Sequence, residues 1–189
     1  LWAYAEAARL TDQPLYARVA RRTAEYVLRE MTGADGEFFS AQDADSEGRE
    51  GAYYLFTPDE IQAELGRDDA NTFCRWYDIT AKGNFEGFSI PNLIGNAQFS
   101  SEPVAIQSMR ERIYAYRRNR MPLLRDDKVL TSWNSLMITS LCFASRALHE
   151  PAYLVAAQRA ESFLFCNLSD HQGSLWIRYR DGEAKGDGI

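Results

Sequence analysis

Between Leu15 and Met31 the apolar and small residues fall at Tyr16, Val19, Ala20, Thr23, Tyr26, Val27 and Met31. That spacing traces one face of a 3.6-residue period and predicts a helix. An Ala-rich helix end over residues 1–10 precedes it, separated by Thr11-Asp12-Gln13-Pro14. There Thr11 or Asp12 is the expected N-cap, and Pro14 suits a first turn because its missing N–H would have no helical partner. Gly33 and Gly36 end the helix and lead into Phe38-Phe39.

The same order returns later in the chain. A helix from Ser132 to Leu148 is followed by His149-Glu150-Pro151 and a second helix, Ala152 to about Leu168, whose apolar face is Tyr153, Ala156, Ala157, Ala160, Phe163, Leu164 and Leu168. An offset of 137 residues aligns Arg9 with Arg146, Pro14 with Pro151, Tyr16 with Tyr153, Ala20 with Ala157, Arg22 with Arg159, Gly36 with Gly173 and Phe39 with Trp176. This is an internal repeat: helix, proline turn, helix, then a Gly-x-aromatic extended segment. Two copies predict stacked helical hairpins, as in a solenoid or a closed α/α toroid.

Between the copies the pattern predicts shorter elements. Thr57-Pro58-Asp59-Glu60 has the form of a capped, acidic first turn and starts a helix ending near Gly66. Another runs from Asp68 to Tyr77 with Phe73, Trp76 and Tyr77 inward, and a third follows Ser101-Glu102-Pro103 to about Asn119 with Ile106, Met109, Ile113 and Tyr116 inward. Residues 78–100, with Gly83, Gly87, Pro91 and Gly95, read as a long loop, and Met121 to Val129 as extended chain. Thr131 or Ser132 is the expected cap of the helix that follows.

Composition narrows the classes. A 46% hydrophobic share with 13% aromatics suits a globular fold, and no stretch approaches the roughly 18 apolar residues of a membrane span. A formal charge of −6 argues against nucleic-acid binding, so the arginines at 110, 112, 117, 118, 120 and 125 read as a solvated helix face. Cys74, Cys142 and Cys166 are odd in number and widely spaced, which points to reduced, partly buried thiols of a cytoplasmic protein. The chain starts and stops mid-pattern and reads as an excerpt.

One stretch departs from every helical pattern. From Phe38 to Tyr54, Asp43, Asp45, Glu47 and Glu50 lie between the pairs Phe38-Phe39 and Tyr53-Tyr54, with glycines at 48 and 51. Carboxylates alternating with small residues and ended by glycines describe a loop whose charges converge. It mimics the opening of a calcium loop, but Tyr54 stands at the twelfth position, where a bidentate Glu is required. No metal and no cofactor is expected.

Three segments resemble the thioredoxin-domain-containing, spermatogenesis-associated protein family: Ser40 to Gly48, Asn84-Phe85-Glu86-Gly87, and Asp126 to Asn134. The resemblance covers nearly the whole chain. It implies a thioredoxin-like domain followed by an (α/α)6 toroid similar to six-hairpin glycosidases and sugar 2-epimerases. The expected fold is therefore all-α, residues 1–189 forming part of that toroid with short β-hairpin or extended segments. Many relatives carry Glu where this chain has Gln42, and Gly where it has Ser135.

The resemblance implies a carbohydrate ligand and an isomerase-, epimerase- or glycosidase-like site. Asp43, Asp45, Glu47 and Asp127 are the candidate catalytic carboxylates, since glycoside cleavage needs a carboxyl pair. Phe39, Tyr53, Asp126, Lys128, Trp133 and Asn134 are the candidate substrate contacts, Asn134 lying at a helix start. The same carboxylates also suit helix caps and pairs with Arg49, Arg125 and Lys128. His149 and His171 lie in turns, so epimerase chemistry would need histidines from outside this span. The competing reading is a non-catalytic scaffold for the attached thioredoxin-like domain.

Overall fold

A computed structural model describes residues 1–46 and 48–186. Among these residues there are seven α-helices, α1 (Trp2–Leu10), α2 (Pro14–Glu30), α3 (Pro58–Leu65), α4 (Arg67–Tyr77), α5 (Val104–Arg120), α6 (Thr131–Leu148) and α7 (Pro151–Leu168), close to the predicted spans. Seven short strands accompany them: β1 (Ala41–Gln42), β2 (Asp45–Ser46), β3 (Arg49–Glu50), β4 (Arg125–Asp126), β5 (Val129–Leu130), β6 (Arg178–Arg180) and β7 (Glu183–Lys185).

The all-α toroid expectation is overturned: 55% of the described residues are helix and 13% are strand in small antiparallel sheets. The strands arise where turn chemistry lets the connections zip up. Asp181 (φ 53°) and Gly182 (φ 79°) form a left-handed two-residue turn, so β6 folds onto β7 with Tyr179 opposite Ala184, and β5 adds to β6 with Val129 opposite Tyr179. No described helix is long and apolar enough to cross a membrane.

The chain divides into two compact units, residues 1–41 with 125–189, and residues 42–124. The first holds α1, α2, α6 and α7 around Ala5, Ala20, Ala24, Val27, Phe38, Leu141, Ala144, Leu148, Tyr153, Ala157 and Ala160. Small residues dominate that list, which lets the helices approach closely.

The repeat is visible in the backbone of this unit. After α2, Gly33 N–H donates to Glu37 O, Gly36 N–H to Gly33 O and Phe39 N–H to Met31 O. After α7, Asp170 N–H donates to Ser174 O, Gly173 N–H to Asp170 O and Trp176 N–H to Leu168 O, each bond shifted by the same 137 positions.

The second unit packs α3, α4 and α5 around Phe56, Ile61, Leu65, Phe73, Ile79, Ile106, Met109 and Ile113. The Thr57 capping box forms as predicted: Thr57 Oγ1 accepts from Glu60 N–H at 3.2 Å and Thr57 N–H donates to Glu60 Oε2 at 2.8 Å. The other predicted caps do not. Gln13 and Leu130 occupy the N-cap positions of α2 and α6 with no side-chain bond, because Thr11 donates back to Ala7 O and Thr131 donates to Trp176 O instead.

Candidate functional site

The predicted site residues divide between the units. Asp43, Asp45 and Tyr53 belong to the second; Phe39, Asp126, Asp127, Lys128, Trp133 and Asn134 belong to the first. Glu47 lies outside the described residues.

In the second unit the acidic stretch folds as a ribbon. Asp45 sits opposite Glu50 and Ser46 opposite Arg49, and Gly51 N–H donates to Ala44 O at 2.9 Å before the chain enters a single 3-10 turn, Ala52–Tyr54. Asp43 Oδ1 accepts from Asp45 N–H at 3.0 Å, so this carboxylate holds the turn while both acids stay exposed. Arg49 lies 5.1 Å over the Phe88 ring, which brings the end of the acidic ribbon against the residue that follows the Asn84–Gly87 turn. Asn84 clamps that turn, accepting from Ile90 N–H at 2.8 Å and donating to Ile90 O at 3.0 Å.

Tyr53 is 5% exposed, its ring edge-on to Tyr54 at 5.0 Å. Two arginines of α5 hold this turn. Arg120 donates to the carbonyls of Ala52, Tyr53 and Leu55 and to Glu60 Oε1, all at 2.9–3.0 Å. Arg117 lies 4.7 Å over Tyr53 and 5.2 Å over Tyr54. The expectation of a solvated arginine face is therefore corrected in part: Arg120 is 15% exposed and Arg110 pairs with Glu102, while Arg112, Arg118 and Arg125 stay exposed. The available signal was Tyr114 and Tyr116 interleaved with arginines three apart, which puts rings and guanidinium groups on one helix face.

Burial raises the Glu60 carboxyl, but the Thr57 N–H and the Arg120 charge outweigh it and hold the group below its ordinary 4.5.

In the first unit, Asp127 pairs with Arg180 at 2.8 Å and Asp126 with Lys128 at 3.1 Å. The Lys128 hydrogen bond is the main reason the Asp126 carboxyl lies below its ordinary value. Phe39 packs beside Val129, Phe163 and Leu168 and carries Arg125 4.2 Å over its ring. Trp133 is 55% exposed on the first turn of α6.

Asn134 is 1% exposed: its Oδ1 accepts from Phe38 N–H at 2.9 Å, and its Nδ2 donates to Phe38 O at 2.9 Å and Leu130 O at 3.0 Å. All its amide hydrogens are engaged with the chain itself, which makes it a core clamp and removes it as a ligand contact.

Among the described residues two cavities lie elsewhere. One of about 390 Å³ is lined by Asp35, Val155, Arg159, Phe163 and Cys166, and one of about 670 Å³ by Gln62, Ala70, Cys74, Asp78 and Ile79. None of the predicted site residues lines either. Cys166 is exposed where a partly buried thiol was expected, and burial pushes the Cys74 thiol up. Among the described residues no group of three or more His, Cys, Asp or Glu is placed to hold a metal ion.

No protein-family model matches the chain. It is 27% identical to spermatogenesis-associated protein 20 of Mus musculus over 201 residues, covering 88% of this chain, and 27% identical to that of Homo sapiens over 202 residues, covering 89%. The Rattus norvegicus protein of that name is 24% identical over 201 residues. The chain is thus similar to these proteins over most of its own length. It spans about a quarter of the length of the curated relatives it matches.

Proposed function

We propose that this chain is a non-catalytic interaction module of a longer protein akin to spermatogenesis-associated protein 20, and that it positions a thioredoxin-like domain. The observation that carries the reading is the internal pairing of the first unit's carboxylates, Asp127 with Arg180 and Asp126 with Lys128. Asn134, spent in the core, supports the same reading.

The test is titration of the thioredoxin-like domain of the full-length protein against this chain, read by calorimetry. Saturable binding in the micromolar range is expected, and absence of any heat at high concentration overturns the reading.

A second reading, sugar binding without catalysis, rests on Trp133, whose exposed ring offers a flat apolar face. A thermal-shift screen of the full-length protein against mono- and disaccharides separates the two. A ligand at 100 times its dissociation constant stabilises by about 2.7 kcal/mol. A hit abolished by Trp133→Ala and retained by Asp127→Asn supports sugar binding, whereas a hit that turns over and is lost in Asp127→Asn sinks the non-catalytic reading.

A further inference from the structure

Arg117 and Arg120 sit one turn apart on α5, and both guanidinium groups lie over aromatic rings. They differ at the Nη groups. Arg120 spends its Nη hydrogens on three carbonyls and Glu60. Arg117 lies over Tyr53 at 4.7 Å, Tyr54 at 5.2 Å and Tyr114 at 5.6 Å, yet no carboxylate or carbonyl among the described residues accepts a hydrogen bond from it. Its Nε, like that of Arg120, is buried and meets no acceptor, so what sets Arg117 apart is its unpaired Nη groups.

A buried donor on a charged group costs free energy unless something accepts from it. Stacking uses only the face of the guanidinium plane. Its five N–H groups point out along the edge, in the fork that matches two oxygens of a phosphate or carboxylate.

The charge balance agrees. The C-terminus of α5 carries about half a negative charge from the helix dipole, while Arg117 and Arg118 together bring two positive charges there that no described acid neutralises. Tyr53 is held in place by the Arg120 bond to its carbonyl and by Tyr54 against its edge, so the platform under Arg117 is preformed.

We propose that Arg117 anchors an oxyanion-binding site, taking a phosphoryl or carboxylate group through its Nη groups while the body of the ligand lies along the half-buried Tyr54 and Tyr114. The site belongs to residues 42–124 and does not depend on the carboxylates discussed above.

The test uses the full-length protein with inorganic phosphate and, separately, malonate, each against sodium chloride at equal ionic strength and read by thermal shift. Phosphate, malonate or both stabilise the wild type; the responding probe identifies the group. Arg117→Gln weakens binding by about tenfold or more, since a charged hydrogen bond is lost. Arg118→Gln, at an exposed position over Tyr114 alone, stays within about twofold. Arg117→Lys keeps the charge without the fork and binds at an intermediate strength, which tests the idea even where the glutamine variant folds poorly. No response to either anion, an undiminished response in Arg117→Gln, or equal loss in Arg118→Gln overturns the proposal.

Discussion

At the residue scale the polar side chains that matter most are the ones spent inside the fold. Asn134 closes three hydrogen bonds with no solvent, so Asn134→Leu leaves the N–H and C=O of Phe38 unpaired in the core. A loss on the order of 3 kcal/mol is expected, seen as a lower urea midpoint with unchanged slope. Asn84 makes a similar clamp on an exposed turn, and Asn84→Ala costs less, about 1 kcal/mol. Glu60 adds a pH dependence. Its folded pKa lies below the ordinary 4.5, so its stabilising share is present above that value and is lost as pH falls through the folded value. Acid titration of unfolding should therefore show Glu60→Gln losing less stability than the wild type on acidification below about pH 4.5. Of this only the Thr57–Glu60 capping box was legible in the sequence, where Asn134 reads as a helix start open to ligand and Arg120 as one of a run of solvated charges. Burial of a polar side chain leaves no periodic mark, because it depends on which distant backbone group arrives beside it.

At the scale of elements, the hairpin repeat was legible down to single hydrogen bonds, since proline, glycine and aromatic positions recur at one offset and each has a local cause. Both copies turn on a glycine with positive φ, Gly36 at 100° and Gly173 at 84°. The surroundings differ: a Cβ on Gly36 would meet Arg159 Cβ at 2.7 Å, whereas one on Gly173 meets nothing within 4 Å. Gly173→Ala therefore carries only the backbone penalty, about 1 kcal/mol, and Gly36→Ala costs more by roughly another 1 kcal/mol or above. Equal melting temperatures for the two variants would contradict this account of the repeat. The ribbons were the part misjudged. Asp181-Gly182 is a hairpin turn flanked by Tyr179 and Ala184, but strands of three residues are too short to register against a helical background.

At the scale of the molecule, the repeat does not fill the chain. It accounts for the helices of the first unit, while residues 42–124 form a unit of their own inserted between its two copies. The sequence marked this region only as shorter helices and a long loop, because a domain insertion shows in which cores close rather than in any local signal. The ends of the insertion are adjacent: Asp43 N–H donates to Leu124 O at 2.8 Å. Adjacent ends and a core of its own are the conditions under which a segment folds when excised. The fragment 42–124 should unfold in a single urea transition with a stability of a few kcal/mol, as a core of this size supplies little more. Arg120→Ala tests what holds it together. That change frees the carbonyls of Ala52, Tyr53 and Leu55 and leaves Glu60 without its counter-charge, so it should remove about 3 kcal/mol and bring the fragment close to unfolding in water. Were the fragment to melt gradually even with Arg120 present, residues 42–124 would owe their fold to the first unit and the insertion account would fail.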